Sequence, residues 1–222
     1  MASLLESIEQ YAAQLECIGS APPPAPRWTQ DWFPRLDAAA AYAMVRTVRP
    51  RRIVEVGSGH STRFLARAVA DGELDTQIIA IDPQPRASIE DLPVRWLRTP
   101  VQRVPAFPAL GEDDILFIDS SHQLKPGSDV EFLLKAVLPM LPAGVRVHFH
   151  DIFIPDDYPK EWAWRHYNEQ AAVASLIESN VFKVDFASHA LVSRSPERIA
   201  GVLARLPLPP GAIESSLWLT KL

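Results

Sequence analysis

Short runs of consecutive apolar residues punctuate the chain: Ile53-Val54 with Val56, Ile78-Ile79-Ala80-Ile81, Ile115-Leu116-Phe117-Ile118 and Val145 through Phe149. Runs of four or five without alternation fit strands buried on both faces. Between them the spacing turns helical, as in Phe64-Leu65-Ala66-Arg67-Ala68-Val69. This pattern predicts strands at about 52–56, 77–81, 94–97, 115–118 and 145–150, with two late strands at about 182–186 and 216–220. It predicts helices at about 2–18, 34–48, 61–70, 128–140 and 160–179, with Ser128 as an N-cap. The proline-rich stretch 21–26 cannot continue a helix. Alternating strands and helices give an α/β fold, a doubly wound, mostly parallel seven-stranded sheet with an N-terminal helical extension. The expected division is an extension over 1–30 and one domain over 31–222.

Three predicted strands end in an acidic residue, Asp82, Asp119 and Asp151. Ligands of open α/β sheets bind beyond the carboxyl ends of the strands, so these carboxylates converge on one edge. The first strand runs into Glu55-Val56-Gly57-Ser58-Gly59-His60-Ser61-Thr62 and then into a helix. Such a turn offers bare main chain and unpaired helix N–H groups to a ligand of nucleotide type. The third glycine of a dinucleotide site is replaced by Thr62, which weakens a nicotinamide reading. No Gly-Lys-Ser/Thr follows, which excludes a phosphate-binding P-loop.

Composition narrows the class. The 222 residues carry 22 basic and 27 acidic side chains, a net charge of −5, against the basic face a nucleic-acid binder needs. Cys17 is the single cysteine, so neither a disulfide framework nor a cysteine zinc site is expected. The sequence has no signal-peptide pattern and no apolar stretch of membrane length. A cytoplasmic protein acting on a small molecule, without nucleic-acid or membrane partners, is the expectation. The N-terminal helix and connector suit a lid or a dimer arm, which allows a homo-oligomer.

Glu55-Val56-Gly57-Ser58-Gly59 resembles the first motif of class I S-adenosylmethionine-dependent methyltransferases. Phe117-Ile118-Asp119-Ser120-Ser121-His122, and Val147 through Phe153 followed by Asp157-Tyr158-Pro159, are similar to the subgroup called methyltransferase family 24. The resemblance runs from about residue 31 onward and implies a Rossmann-like methyltransferase fold with S-adenosylmethionine (SAM) as cofactor. It implies that Gly57, Ser58 and Gly59 approach the methionine part of SAM, and that Ser61 or the helix N–H groups take its carboxylate. It implies that Asp82 holds the ribose hydroxyls and that Val101 and Gln102 lie by the adenine. Glu55, which holds the turn or meets a cationic ligand, and Asp119 are counted with this cofactor set. The implied reaction is methyl transfer to a small acceptor, at a hydroxyl of a sugar or secondary metabolite.

Two routes remain for removing the acceptor proton. In one, Asp119, His150 and Asp151 hold a divalent cation, with Mg²⁺ or Mn²⁺ favoured by carboxylates and Zn²⁺ or Fe²⁺ by imidazole. Related metal-dependent O-methyltransferases often carry two acidic residues in a row at the second of these strand ends. His150-Asp151 stands here instead, which leaves a mixed site or no metal. In the other route His122 or His150, raised by a neighbouring carboxylate, is the base. His148 alternates with Val147 and Phe149 and reads as a hydrogen-bonded core histidine. Trp28, Trp32, Phe33, Tyr158, Trp162 and Trp164 either wall an acceptor pocket or pack helices onto the domain. Three other readings compete: a SAM-binding protein without turnover, a metal-dependent hydrolase or oxygenase using Asp119, His150 and Asp151, and a nicotinamide-dependent oxidoreductase.

Overall fold

The apolar runs do form the inner strands. A computed structural model describes residues 2–222. The strands are β1 (Arg52–Val56), β2 (Gln77–Ile81), β3 (Arg95–Leu97), β4 (Ile115–Ile118), β5 (Arg146–Phe149), β6 (Phe182–Ala187) and β7 (Leu217–Lys221). They make one seven-stranded sheet in the order β3-β2-β1-β4-β5-β7-β6. β1 through β5 pair in parallel, and β7 runs antiparallel to both of its neighbours. The order reverses direction at β1, where β2 lies to one side and β4 to the other, so a crevice opens beyond these strand ends.

Side-chain alternation divides the core between the two faces. Ile53, Ile115, Phe117 and Trp218 face α3 (Arg35–Val48) and α4 (His60–Asp71). Val54, Val56, Leu116, Ile118 and Val147 face the opposite layer, which includes Val173 of α6 (Gln170–Glu178). The two N-terminal helices, Ala2–Gln10 and Ala12–Glu16, supply Leu4, Ile8 and Leu15 to the first core. Among the described residues no helix is long and apolar enough to cross a membrane.

The departures from the predicted elements have local causes. The helix expected over 2–18 breaks at Tyr11. The helix expected over 128–140 is capped by Ser128, whose hydroxyl accepts the Glu131 N–H at 3.0 Å. It stays α-helical only over Asp129–Phe132 (α5), then widens over Leu133–Val137 and tightens over Leu138–Met140. Pro139 has no N–H and crowds the carbonyl four residues back, so a regular ladder cannot reach it. The single helix expected over 160–179 is a 3₁₀ segment, Lys160–Arg165, and a separate α6. His166 breaks it with φ 56°, and the Asn168 N–H turns to the carbonyl of His122 at 3.0 Å. Tertiary contact with the loop after β4 has overridden helical periodicity there. Two short helices, Ser188–Arg194 (α7) and Val202–Arg205 (α8), lie between β6 and β7, where no element was predicted.

Candidate active site

The register of the sheet assembles the site. Glu55, Phe117 and His148 form one cross-strand row, and Val56, Ile118 and Phe149 form the next. The ladder runs one residue further, with the Asp119 N–H on the carbonyl of Val56 (2.9 Å) and the His150 N–H on that of Ile118 (2.9 Å). Gly57, Asp119 and His150 therefore lie side by side just past the strand ends. Gly57 has φ 81°, and a Cβ there would fall 1.7 Å from the carbonyl oxygen of Asp119. Only glycine permits this approach.

Glu55 fastens the turn from beneath. It is fully buried, and its two oxygens accept the hydroxyls of Ser61 and Thr62, both at 2.6 Å. Thr62 Oγ1 in turn accepts the Gly59 N–H at 2.9 Å. Burial pushes the Glu55 carboxyl up to about 8, against the opposing pull of the two hydroxyls. Of the two roles open to Glu55, the geometry realises that of holding the turn. The Ser61 hydroxyl is bonded to Glu55, so the main-chain N–H groups of this helix end are the ones left facing the turn.

Asp82 closes the other side. Its Oδ2 accepts the N–H (2.6 Å) and hydroxyl (3.1 Å) of Ser58, and its Oδ1 accepts the Gln84 N–H (2.7 Å). A carboxylate offers roughly four lone-pair sites, so about one is left. A cavity of about 660 Å³ opens here, lined by Gly57, Ser58, Asp82, Val101, Gln102 and Asp119, among others. Ser120 also lines it, and its buried hydroxyl has no hydrogen-bond partner.

A smaller cavity of about 40 Å³ shares Ser58, Asp119 and Ser120 with the first and contains His122, His150 and Asp151. His122 Nε2 lies 3.2 Å from Asp119 Oδ1 and 3.6 Å from Asp151 Oδ2, and its Nδ1 lies 2.5 Å from Glu169 Oε1. His150 Nδ1 lies 3.5 Å from both Asp119 Oδ1 and Asp151 Oδ1, and its Nε2 lies 3.3 Å from Asp37 Oδ2. Two carboxylate–imidazole pairs thus converge on Asp119 and Asp151. Burial lowers both imidazoles, but the carboxylates outweigh it and hold His122 and His150 well above the usual range, as cations. In return, although burial raises Asp119, His150 and His122 hold its carboxyl well below the usual carboxylate range. His122 (φ 56°) and Asp151 (φ 55°) both adopt left-handed backbone. Such conformations cost on the order of 1–3 kcal/mol and persist where the surroundings impose them.

Asp119, His150 and Asp151, expected as a metal set, come together with the imidazole between the two carboxylates. Among the described residues no group of three or more His, Cys, Asp or Glu side chains is placed to hold a metal ion. Every ring nitrogen of His122 and His150 faces a carboxylate, and the carboxylates face imidazolium, so the donors answer one another. His148 is a core residue: fully buried, bonded to Ser216 Oγ at 2.8 Å and stacked on Phe117. Of the six aromatic residues expected at a wall, Trp32 and Phe33 line the small cavity. Trp28 is buried against Phe64, and Tyr158 and Trp162 pack on Phe153.

Comparison with known proteins agrees with this geometry. Residues 54–152 match the model of the family Methyltransf_24, described as a methyltransferase domain. Residues 54–152 thus resemble a methyltransferase domain of this family. Its fold is also that of the SAH-bound methyltransferase PaMTH1 from Podospora anserina, at 16% identity over 99% of this chain and 88% of that one (TM-score 0.55). The O-methyltransferase from Bacillus cereus in complex with SAH matches at 15% identity over 99% and 91% (TM-score 0.50). TomG from Streptomyces achromogenes, an O-methyltransferase in complex with SAM, matches at 14% identity over 99% and 89% (TM-score 0.50). The chain spans 61% of the length of a further structure, cmcI, at a TM-score of 0.45. No curated protein matches it.

The matched region of this methyltransferase domain contains the glycine turn, Asp82, Asp119, His122, His150 and Asp151. Two groups of the site lie outside it, Asp37 and Glu169. Asp37 is fully buried in α3, and besides facing His150 it accepts the N–H groups of Ser215 (2.9 Å) and Ser216 (3.0 Å). One signal for it exists in the sequence: a lone carboxylate in the otherwise apolar segment Leu36–Ala41. Glu169 has no such signal, since Asn168, Glu169 and Gln170 read as a polar helix face.

Proposed function

We propose that this methyltransferase moves a methyl group from SAM to a hydroxyl oxygen of a small molecule. One observation carries the reading: a cavity of cofactor size at the glycine turn shares the wall Asp119–Ser120 with a smaller cavity lined by Asp151 and by the buried His122 and His150 rings. A cofactor and an acceptor placed in the two would meet at that wall. The Gly57–Gly59 main chain, Ser58 and Asp119 border the methionine part, the helix N–H groups take its carboxylate, and Ser61 and Glu55 hold the turn. Asp82 gives its remaining lone pair to a ribose hydroxyl, and Val101 and Gln102 border the adenine.

SAM when bound supplies an electrophilic methyl group on a sulfonium, so the protein's task is to orient the acceptor and receive a proton. The acceptor hydroxyl donates to Asp151 in the small cavity. As its oxygen bonds to carbon and the sulfur–carbon bond breaks, that oxygen becomes far more acidic and its proton passes to Asp151. His122 and His150 hold the Asp119 carboxyl in its charged form beside Asp151. This assigns the imidazoles a different part from the free base considered from sequence, because neither ring has a nitrogen free of a carboxylate. Glu169 and Asp37 position them.

Calorimetry with SAM and S-adenosylhomocysteine (SAH), followed by transfer of labelled methyl to a panel of polyols and phenols, tests the reading. Binding of both with transfer to oxygen is expected; NADH binding without SAM binding would sink it.

A further inference from the structure

Two guanidinium groups at the small cavity have no counterion. Arg165 lies with its Cζ 4.1 Å from the ring centre of Trp162, 5.1 Å from Trp164 and 5.5 Å from Tyr167. Its Nη1 donates to the Tyr167 hydroxyl at 3.2 Å, and its buried Nε has no hydrogen-bond partner. Arg86 follows β2, and its Cζ lies 4.0 Å over Trp32. Among the described residues neither guanidinium has a carboxylate within ion-pair distance. Both line the small cavity together with His122, His150 and Asp151.

The volume decides what enters. At about 40 Å³ against about 660 Å³, the small cavity is the narrower of the two, so it takes the reacting end of an acceptor rather than a bulky body. Arg86 and Arg165 line it and are placed to meet the rest of the acceptor. His60, whose buried Nδ1 has no partner, lines the same cavity. The floor, with Asp119 and Asp151, is the acidic end. Guanidinium forks held over aromatic rings suit planar or tetrahedral oxyanions.

We propose that the acceptor carries an anionic group, a carboxylate or a phosphate, which Arg86 and Arg165 grip while its hydroxyl enters the cavity floored by Asp151, His122 and His150. This rests on the methyl-transfer reading above and names its substrate class.

The test uses the full chain, with and without saturating SAH, and matched probes: 3,4-dihydroxybenzoate against catechol, and glycerol 3-phosphate against glycerol. Melting temperature and tryptophan fluorescence report binding, since Trp32, Trp162 and Trp164 border the arginines. Binding by a charged probe and not its neutral counterpart is expected. R165Q and R86Q should each weaken it about ten- to hundredfold, the range for losing a hydrogen-bonding partner of a charged group, while R198Q leaves it unchanged. Equal binding of neutral and charged probes, no binding by either charged probe, or an unchanged preference in R165Q would overturn the inference. Failure of SAH to bind strikes the methyl-transfer reading instead and is read in the first titration.

Discussion

Glu169 Oε1 stands 2.5 Å from Nδ1 of His122, on the side of the ring away from Asp119, which is 3.2 Å from Nε2. A buried imidazole between two carboxylates stays protonated, and its charge helps to hold the Asp119 carboxyl low. A residue that does not line the cavity thus sets the charge of one that does.

Replacing Glu169 with Gln removes a source of the raised pKa of His122. The ring then loses its proton at lower pH, and the alkaline limb of the rate profile shifts downward. Turnover should fall about ten- to hundredfold, as for other residues that orient a site from behind, while SAM affinity holds. Rates of methyl transfer measured from pH 5 to 10 check this, and an unmoved alkaline limb sinks it.

Glu55→Gln changes the pH dependence of stability. The carboxyl stands at 4.5 ordinarily and about 8 in the fold. Its contribution is full below 4.5 and disappears as pH rises through 8, because the unfolded chain gives up the proton more readily. The wild type should lose stability across that window, and the variant should lose less. Urea midpoints at pH 5, 7 and 9 measure the difference.

Gly57→Ala and Gly127→Ala place the same methyl group at similar backbone angles, φ 81° and 77°. At Gly127 nothing lies within 4 Å, so the cost is that of left-handed backbone alone, roughly 1–2 kcal/mol. At Gly57 the methyl meets the carbonyl of Asp119, and a loss of more than about 4 kcal/mol with no SAH binding is expected. Denaturant unfolding of the pair would show equal losses if the close approach were unimportant.

Asp37→Ala strands two buried N–H groups and a buried imidazolium. A loss of about 3–5 kcal/mol is expected, as when one partner of a buried pair is removed. Asp37→Asn retains one acceptor oxygen and should cost less, yet it should still lower turnover. Urea unfolding and methyl-transfer rates on both variants separate the two effects.

The inner strands are legible because burial on both faces leaves apolar runs, and Asp82, Asp119 and Asp151 are legible because carboxylates do not end such runs by chance. The contacts behind the site are not. Asp37 and His150 are 113 residues apart, His122 and Glu169 are 47 apart, and no local spacing encodes either pair. The antiparallel sense of β7 is equally hidden, since Leu217-Trp218-Leu219 reads like any parallel core strand. The end of the helix expected over 160–179 escapes for the same reason: Asn168 leaves the helical path to bond a loop more than forty residues upstream.

The order of the strands along the chain has a consequence for synthesis. The larger cavity is bordered by residues that lie between Trp32 and Asp129. Ser215 and Ser216, which hold Asp37 in place behind His150, enter just before β7, the last strand of the sheet to be made. A chain emerging from the ribosome in sequence therefore presents every residue that borders the larger cavity before the two that hold Asp37.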